Sequence, residues 1–88
     1  MVSLPPVLVK VLYFAALREL VGRAEQTLEL PASVARVGTL ASHLERAVPA
    51  LSGRMGSVRL ARNERFSTPD ETLADGDVIA LIPPVSGG

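Results

Sequence analysis

The chain lacks the side chains on which several common chemistries depend. It has no cysteine, so disulfides and thiolate chemistry are excluded and its 88 residues must fold on a hydrophobic core alone. The single histidine, His43, has no second candidate ligand near it, which argues against a metal site and against a Ser-His-Asp triad. The glycine-containing stretches also lack the spacing and the lysine of a phosphate loop. The chain is therefore not expected to be an enzyme by itself, and no tightly bound cofactor is expected.

Net charge, aromatic residues and long hydrophobic runs are equally scarce. Nine basic side chains balance nine acidic ones and aromatics make up only 3%, so the surface is poorly suited to nucleic acid. The longest apolar run near the start covers residues 11–17, whereas a membrane span needs about 20 residues. The first residues also lack the basic start of a signal peptide. A soluble cytoplasmic protein is expected, with a protein or small-molecule partner and no membrane or nucleic-acid partner.

Hydrophobic residues are plentiful, at 48% of the chain, and their spacing indicates the elements. Period-two alternation of apolar and β-branched residues predicts strands at 7–14, 25–30, 58–62 and 78–82. Good helix formers predict a short helix at 15–22, and apolar residues at i, i+3 and i+7 predict a longer one at 37–48. The order predicts an α+β fold: a mixed sheet with one main helix on one face and a short helix after the first strand.

The sequence marks the start of the longer helix poorly, but it marks the turns around the last strands more clearly. The start of the longer helix is poorly marked, because Arg36 is a poor cap, Ser33 is an alternative and Gly38 weakens the first turn. Between the third and fourth strands, residues 63–71 read as turns, in which Asn63 tolerates a positive φ. A further strong turn signal covers residues 74–77.

The sheet face away from the longer helix carries apolar residues where polar ones are usual. An exposed patch of this kind marks a protein interface; the alternative is that loops or the short helix cover it. Four arginines near the third strand are interpreted as a solvated edge that discourages pairing between sheets rather than as a phosphate site. The apolar residues are Leu8, Leu12, Phe14, Val78 and Ile82, and the arginines are Arg54, Arg59, Arg62 and Arg65.

The last six residues read PPVSGG. Pro83 and Pro84 fix φ near −65°, so the chain should leave the last strand as a stiff arm that the next four residues lengthen by at most about 13 Å. Glycine has no Cβ and can enter a channel that other residues would block. The arm could deliver the carboxylate of Gly88 into another protein's active site; the alternative is a frayed end without function. The residues that would enter the channel with Gly88 are Pro83, Pro84, Val85, Ser86 and Gly87.

Three stretches carry a resemblance to a known family: LYFAALRELVG at 12–22, LADGDVIALIPPVSGG at 73–88, and the turn at Asn63. Together they resemble the small, sulfur-carrying subunit of molybdopterin synthase, the MoaD type, over nearly the whole chain. The resemblance implies a ubiquitin-like β-grasp domain at 1–82 and an extended, flexible tail at 83–88. Arg36 departs from the family, whose relatives commonly have a capping threonine there, and Ser86 stands at a position that varies between small residues.

The resemblance also implies a chemistry. An E1-like activating enzyme would use ATP to adenylate Gly88, and a sulfur donor would convert its carboxylate to a thiocarboxylate. The large synthase subunit would then receive the tail, and the sulfur would pass to cyclic pyranopterin monophosphate within a heterotetramer. By position in the family, Phe14, Phe66 and Ile82 would contact partners, and Arg18 would lie near the activating enzyme.

Two alternatives stay open. The chain could be a β-grasp sulfur carrier for thiamin, cysteine or transfer-RNA thiolation, since the terminal Gly-Gly is common to all of these carriers. The helical insertion FAALRELVG and the spelling of the tail favour molybdopterin. It could also be a ubiquitin-like protein modifier or a pure interaction domain.

Overall fold

The computed structural model describes residues 7–84 and shows a sheet with a helix packed on one of its faces. Two 3₁₀ turns, Pro49–Leu51 and Met55–Ser57, follow the longer helix. Within residues 7–84 no helix is long and apolar enough to cross a membrane. The elements are β1 Val7–Tyr13, α1 Ala16–Val21, β2 Glu25–Leu30, α2 Val37–Ala47, β3 Arg59–Arg62, β4 Arg65–Phe66 and β5 Val78–Ile82.

The five strands form one mixed sheet in the order β2-β1-β5-β3-β4. β1 and β5 run parallel at its centre, and the pairs β1–β2, β5–β3 and β3–β4 are antiparallel. The first and last strands of the described chain are therefore neighbours. The predicted α+β class, the mixed sheet and the short helix after the first strand are confirmed.

The hydrophobic core lies between α2 and the inner face of the sheet. Alternate residues of the two central strands enter it, because successive side chains of a strand point to opposite faces. α2 contributes the apolar stripe that its 3.6-residue period predicts. The buried side chains of these elements are Val9, Val11 and Tyr13 of β1, Ile79 and Leu81 of β5, and Val37, Leu40 and Leu44 of α2.

The start of α2 is fixed by a loop distant in sequence rather than by a strong cap. Arg36 occupies the N-cap position, and the Thr39 hydroxyl accepts a hydrogen bond from its backbone N–H at 3.1 Å. The next two N–H groups donate to backbone oxygens of the loop: Val37 to Glu71 at 3.0 Å and Gly38 to Pro69 at 2.9 Å. This loop supplies partners for helix donors that a capping side chain would otherwise satisfy. The helix therefore begins at Val37, where the apolar stripe begins.

The turns lie where the sequence predicts them, except that part of the segment 63–71 forms a strand. Gly22 closes α1 with φ +89°, and Asn63 has φ +50°, as their residue types predict. The segment 63–71, predicted to be rich in turns with no strand assigned to it, includes the two-residue strand β4. Its pattern is too short to show alternation. β4 forms because the Asn63 turn folds Phe66 back beside Ala61 of β3.

The proposed arm begins where β5 ends, at Ile82. Pro83 and Pro84 have no regular structure. Val85, Ser86, Gly87 and Gly88 lie outside the described residues. The division into a domain at 1–82 and a flexible tail at 83–88 thus stays a prediction.

Candidate functional site

The sheet face opposite α2 carries a continuous row of apolar side chains across four strands. Leu12 of β1 lies beside Ala80 of β5, Ala80 lies beside Ala61 of β3, and Ala61 lies beside Phe66 of β4. Residues paired in this way point to the same face. Strands lie about 4.8 Å apart, so the row is about 14 Å long.

This row forms the floor of an open groove of about 540 Å³. Phe14 and Phe66, the latter at the end of the row, both line this groove, and 47% and 56% of their surfaces are exposed. Exposed aromatic side chains next to an apolar groove are typical anchors of a protein interface. The lining residues are Leu12, Phe14, Ala61, Asn63, Glu64, Phe66, Val78, Ala80 and Ile82.

The short helix does not cover the groove. Leu17 of α1 is buried, and α1 packs against the 3₁₀ turn at Pro49–Leu51. No residue of α1 lines the groove. Of the two sequence-based interpretations of this face, an exposed apolar surface is therefore favoured over a covered one within residues 7–84.

Three of the four residues predicted to contact partners come together. Phe14, Phe66 and Ile82 line the same groove, although Phe14 and Phe66 are more than fifty residues apart in the chain. Arg18 is exposed on α1 and lies outside the groove.

The arm leaves the sheet beside this groove. Ile82, the last residue of β5, lines the groove, and Pro83 and Pro84 follow at once. The two prolines line a second open groove of about 500 Å³ together with α1 and the loop around Arg54. The arm thus begins between two open grooves, one lined by Ile82 and the other by the two prolines.

A buried carboxylate next to the groove was not anticipated from the sequence. Asp77 is only 5% exposed and accepts three hydrogen bonds: from Arg62 Nε at 2.6 Å, Asn63 Nδ2 at 2.9 Å and the Ala74 backbone N–H at 2.8 Å. Burial pushes the pKa of Asp77 up, but these hydrogen bonds and the charge of Arg62 push it down further, so the pKa lies below its ordinary value. Asp77 is therefore the ionised centre that ties the Asn63 turn to the start of β5.

The interpretation of the arginines as a merely solvated edge is wrong for Arg62. Its side chain is 28% exposed and pairs with Asp77 and, at 3.7 Å, with Glu71. Its acidic partners lie nine and fifteen residues further along the chain, so strand periodicity gave no sign of them. Arg59 has a different role, since its guanidinium stands 3.7 Å from the centre of the Phe66 ring in a cation–π contact.

The remaining candidates add no chemistry to the described part of the chain. His43 is half-buried on α2. Within residues 7–84 no group of three or more His, Asp or Glu side chains is placed to hold a metal ion. The open apolar groove with its exposed aromatic residues supports recognition of another protein.

The amino-acid sequence is similar to those of known sulfur carrier subunits. Residues 11–88 match the ThiS family. The chain is 44% identical over 82 residues to a molybdopterin synthase sulfur carrier subunit of Chlamydomonas reinhardtii, covering 91% of this chain and 98% of the relative. It is 37% identical over 83 residues to the subunit of the same name in Escherichia coli K12, covering 92% and 100% of the two chains.

Solved structures share the fold. A putative molybdopterin converting factor subunit 1 of Pyrococcus furiosus superposes with a TM-score of 0.77 at 37% identity, covering 90% of this chain and 99% of that one. The small archaeal modifier protein 1 of Haloferax volcanii gives 0.76 at 30% identity, with the same coverage. A complex of subunits 1 and 2 of the molybdopterin-converting factor of Helicobacter pylori contains a chain that gives 0.67 at 25% identity, covering 93% and 100%.

The match to residues 11–88 includes both the sheet that forms the groove and the Gly-Gly end of the sequence. The solved relatives confirm the predicted ubiquitin-like β-grasp fold. The chain belongs to the ThiS family, together with the molybdopterin synthase sulfur carrier subunits that it resembles over nine-tenths of its length.

Proposed function

We propose that this chain is the sulfur-carrying small subunit of a molybdopterin synthase, with Gly88 as the terminal residue that carries the sulfur. The observation that carries the proposal is the position of the open apolar groove directly beside the strand that leads into Pro83 and Pro84. A partner bound on the groove would stand next to the base of the arm. The names and the extent of the two relatives at 44% and 37% identity support this assignment.

The proposed chemistry takes place at the main-chain carboxylate. A carboxylate oxygen of Gly88 attacks the α-phosphorus of ATP in an E1-like activating enzyme, and pyrophosphate leaves. Sulfide-level sulfur from the donor then attacks the activated carbonyl carbon, AMP leaves, and the product is a thiocarboxylate; if the donor is a persulfide, the acyl disulfide formed first is cleaved by a thiol, which is oxidised to a disulfide with the donor. The first step is nucleotidyl transfer and the second is acyl transfer, and neither needs a side chain of the carrier. ATP is thus a substrate of the activating enzyme, and this chain binds no cofactor and is not catalytic by itself.

The large subunit would hold the active site and dock on the groove. Phe14 and Phe66 would anchor it, because large exposed aromatic residues contribute most to association when a partner buries them. The arm would then reach at most about 13 Å beyond Pro84 into that subunit, where the sulfur passes to cyclic pyranopterin monophosphate. Two such transfers give the dithiolene of molybdopterin. Arg18, exposed on α1, would face the activating enzyme, and a heterotetramer is the proposed assembly.

Intact mass spectrometry tests the chemistry. The purified chain is incubated with the activating enzyme of its own organism, ATP and a sulfur source, and the expected product has one oxygen of Gly88 replaced by sulfur. A chain lacking Gly88 serves as the control and should stay unmodified. If the enzyme modifies another carrier under the same conditions but leaves this chain unchanged, the proposal fails.

Binding measurements with Phe66→Ala test the docking surface. Because Phe66 is more than half exposed, its truncation should leave the melting temperature nearly unchanged. Association with the large subunit should weaken about tenfold or more, as expected for an aromatic anchor. Leu8→Ala is the matched control, since Leu8 is 42% exposed on the same face but lies outside the groove. Equal affinities for the two variants would contradict the assignment of the groove.

A second candidate function is protein modification, favoured by the likeness to the small archaeal modifier protein 1 of Haloferax volcanii. The same activated Gly88 would then form an isopeptide bond with a lysine of another protein. Peptide mass spectrometry of cell extracts distinguishes the two functions by searching for Gly88 on lysine side chains. Carriers for thiamin, cysteine or transfer-RNA thiolation are distinguished by the acceptor: only the molybdopterin carrier transfers sulfur to cyclic pyranopterin monophosphate with the large subunit.

A further inference from the structure

The hairpin between β3 and β4 contains a glutamate in a backbone conformation that favours glycine. Two residues, Asn63 and Glu64, link the paired Arg62 and Arg65, and their φ angles are +50° and +72°. Positive φ at both positions is the type I′ turn, for which Asn-Gly is the preferred sequence. Asparagine is readily accommodated there, but glutamate is strained because its Cβ crowds the backbone.

The surrounding structure holds this turn in place. The Asn63 backbone N–H donates to the Val78 carbonyl at 2.8 Å, and the Asn63 side chain accepts a hydrogen bond from the Val78 N–H at 2.9 Å. The same side chain donates to the buried Asp77. Three hydrogen bonds thus fix Asn63 to the start of β5, and Glu64 is kept in its conformation by its neighbours.

The turn places Glu64 at the groove. Glu64 lines it together with Asn63, Phe66 and Val78, and its side chain is exposed. Within residues 7–84 it makes no side-chain hydrogen bond and no ion pair, and Arg59, a cation on this face, is stacked over Phe66. Among the residues that line the groove, Glu64 is the one acidic side chain.

We propose that Glu64 is a specificity-determining residue of the groove, whose carboxylate pairs with a cationic side chain, arginine or lysine, on the large subunit. This inference rests on the proposed function, since it describes the partner of the same surface. A charge at the edge of an apolar interface selects the partner and its orientation more than it adds affinity. The strained backbone supports the assignment. Glycine would adopt this turn without strain, so the presence of glutamate is better explained by recognition of a partner than by the turn itself.

Two substitutions separate charge from strain. Glu64→Gln keeps the shape and the backbone strain but removes the charge, so the melting temperature should not change. At low ionic strength the affinity for the large subunit should fall about five- to tenfold, and the difference from the wild type should shrink as salt is added. Glu64→Gly relieves the positive φ, so the melting temperature should not fall, while the affinity falls as it does for Glu64→Gln.

The matched control is Glu29→Gln, which removes the same charge from β2 at the opposite edge of the sheet. It should bind within about twofold of the wild type, which excludes a general effect of net charge. Wild-type affinity for Glu64→Gln at low salt would overturn the inference, as would equal losses for Glu64→Gln and Glu29→Gln. If the wild type binds and Phe66→Ala weakens binding, such a result leaves the proposed function standing; if the wild type does not bind at all, both are wrong.

Discussion

Replacing Asp77 by asparagine should destabilise the domain in a pH-dependent way. In the wild type, Oδ2 accepts hydrogen bonds from Arg62 and from the Ala74 backbone, and Oδ1 accepts one from Asn63. Asparagine has the same shape but only one oxygen. If that oxygen faces Arg62, the new NH₂ group points at the NH₂ group of Asn63, so at least one donor loses its partner.

The magnitude follows from the number and type of these bonds. A hydrogen bond to a charged group contributes about 1.5–3 kcal/mol, and a buried donor left without a partner costs about 1–3 kcal/mol. Because the site is open to water on the Arg62 side, the expected loss for Asp77→Asn is toward the middle of these values, about 2–4 kcal/mol. A domain of this length has a total stability of about 4–13 kcal/mol, so the loss should be easily measured.

The pH dependence has a definite sign. The pKa of Asp77 is lowered in the folded chain below its ordinary value of 3.8, to which it returns on unfolding. A group with a lowered folded pKa contributes stability that is present above the unfolded pKa and is lost as the pH falls through the folded one. The difference in stability between the wild type and Asp77→Asn should therefore be constant near neutral pH and should shrink below about pH 4.

Urea unfolding followed by far-ultraviolet circular dichroism measures this difference at pH 7 and at a series of lower values. Glu29→Gln is the control for loss of a carboxylate, since Glu29 is exposed on β2 and should change the stability by less than about 0.5 kcal/mol. A loss below about 0.5 kcal/mol for Asp77→Asn, or one that stays unchanged down to pH 3, would refute the reasoning.

Two further substitutions test the packing of α2, both by urea unfolding. Leu44→Ala should cost about 2–5 kcal/mol, because Leu44 is fully buried beneath the helix, and a loss under about 1 kcal/mol would mean that the core collapses around the gap. Gly38→Ala should bring none of the gain of about 1 kcal/mol that alanine usually gives within a helix. Its new Cβ would lie 3.1 Å from Pro69 Cβ and 3.2 Å from the Pro69 oxygen, so a clear gain in stability would contradict this contact.

The sequence predicts those parts of the fold that depend on local periodicity. Alternation over residues 7–14 separates the buried Val9 and Val11 from the exposed Leu8 and Phe14, and the same rule separates the two faces of β5. The exposed apolar face follows from this rule too, since one helix can cover only one face of the sheet. Two of the predicted contact residues, Phe14 and Ile82, could thus be assigned to one surface from the sequence, whereas Phe66 joins them through β4.

Long-range contacts are what the sequence alone does not predict. The ion pair of Arg62 with Asp77 joins residues fifteen apart, and its two ends are ordinary strand and turn residues by type. Gly38 is unfavourable in an isolated helix, but the close approach of Pro69 explains it. β4 exists only because Arg65 and Phe66 meet β3. Each feature depends on a contact with a residue that is distant in sequence, which local propensity does not predict.

The two faces of the sheet have different roles: the inner face stabilises the fold and the outer face is available to a partner. α2 packs on the inner face through its own fully buried side chains, such as Leu40 and Leu44, so substitutions there should cost stability. On the outer face, Phe14, Phe66 and Glu64 are exposed and contribute little to folding. Asp77 lies between the two roles, because it stabilises the domain and also fixes the turn that presents Glu64. Its loss should therefore weaken both folding and partner binding, whereas Glu64→Gln should weaken binding alone.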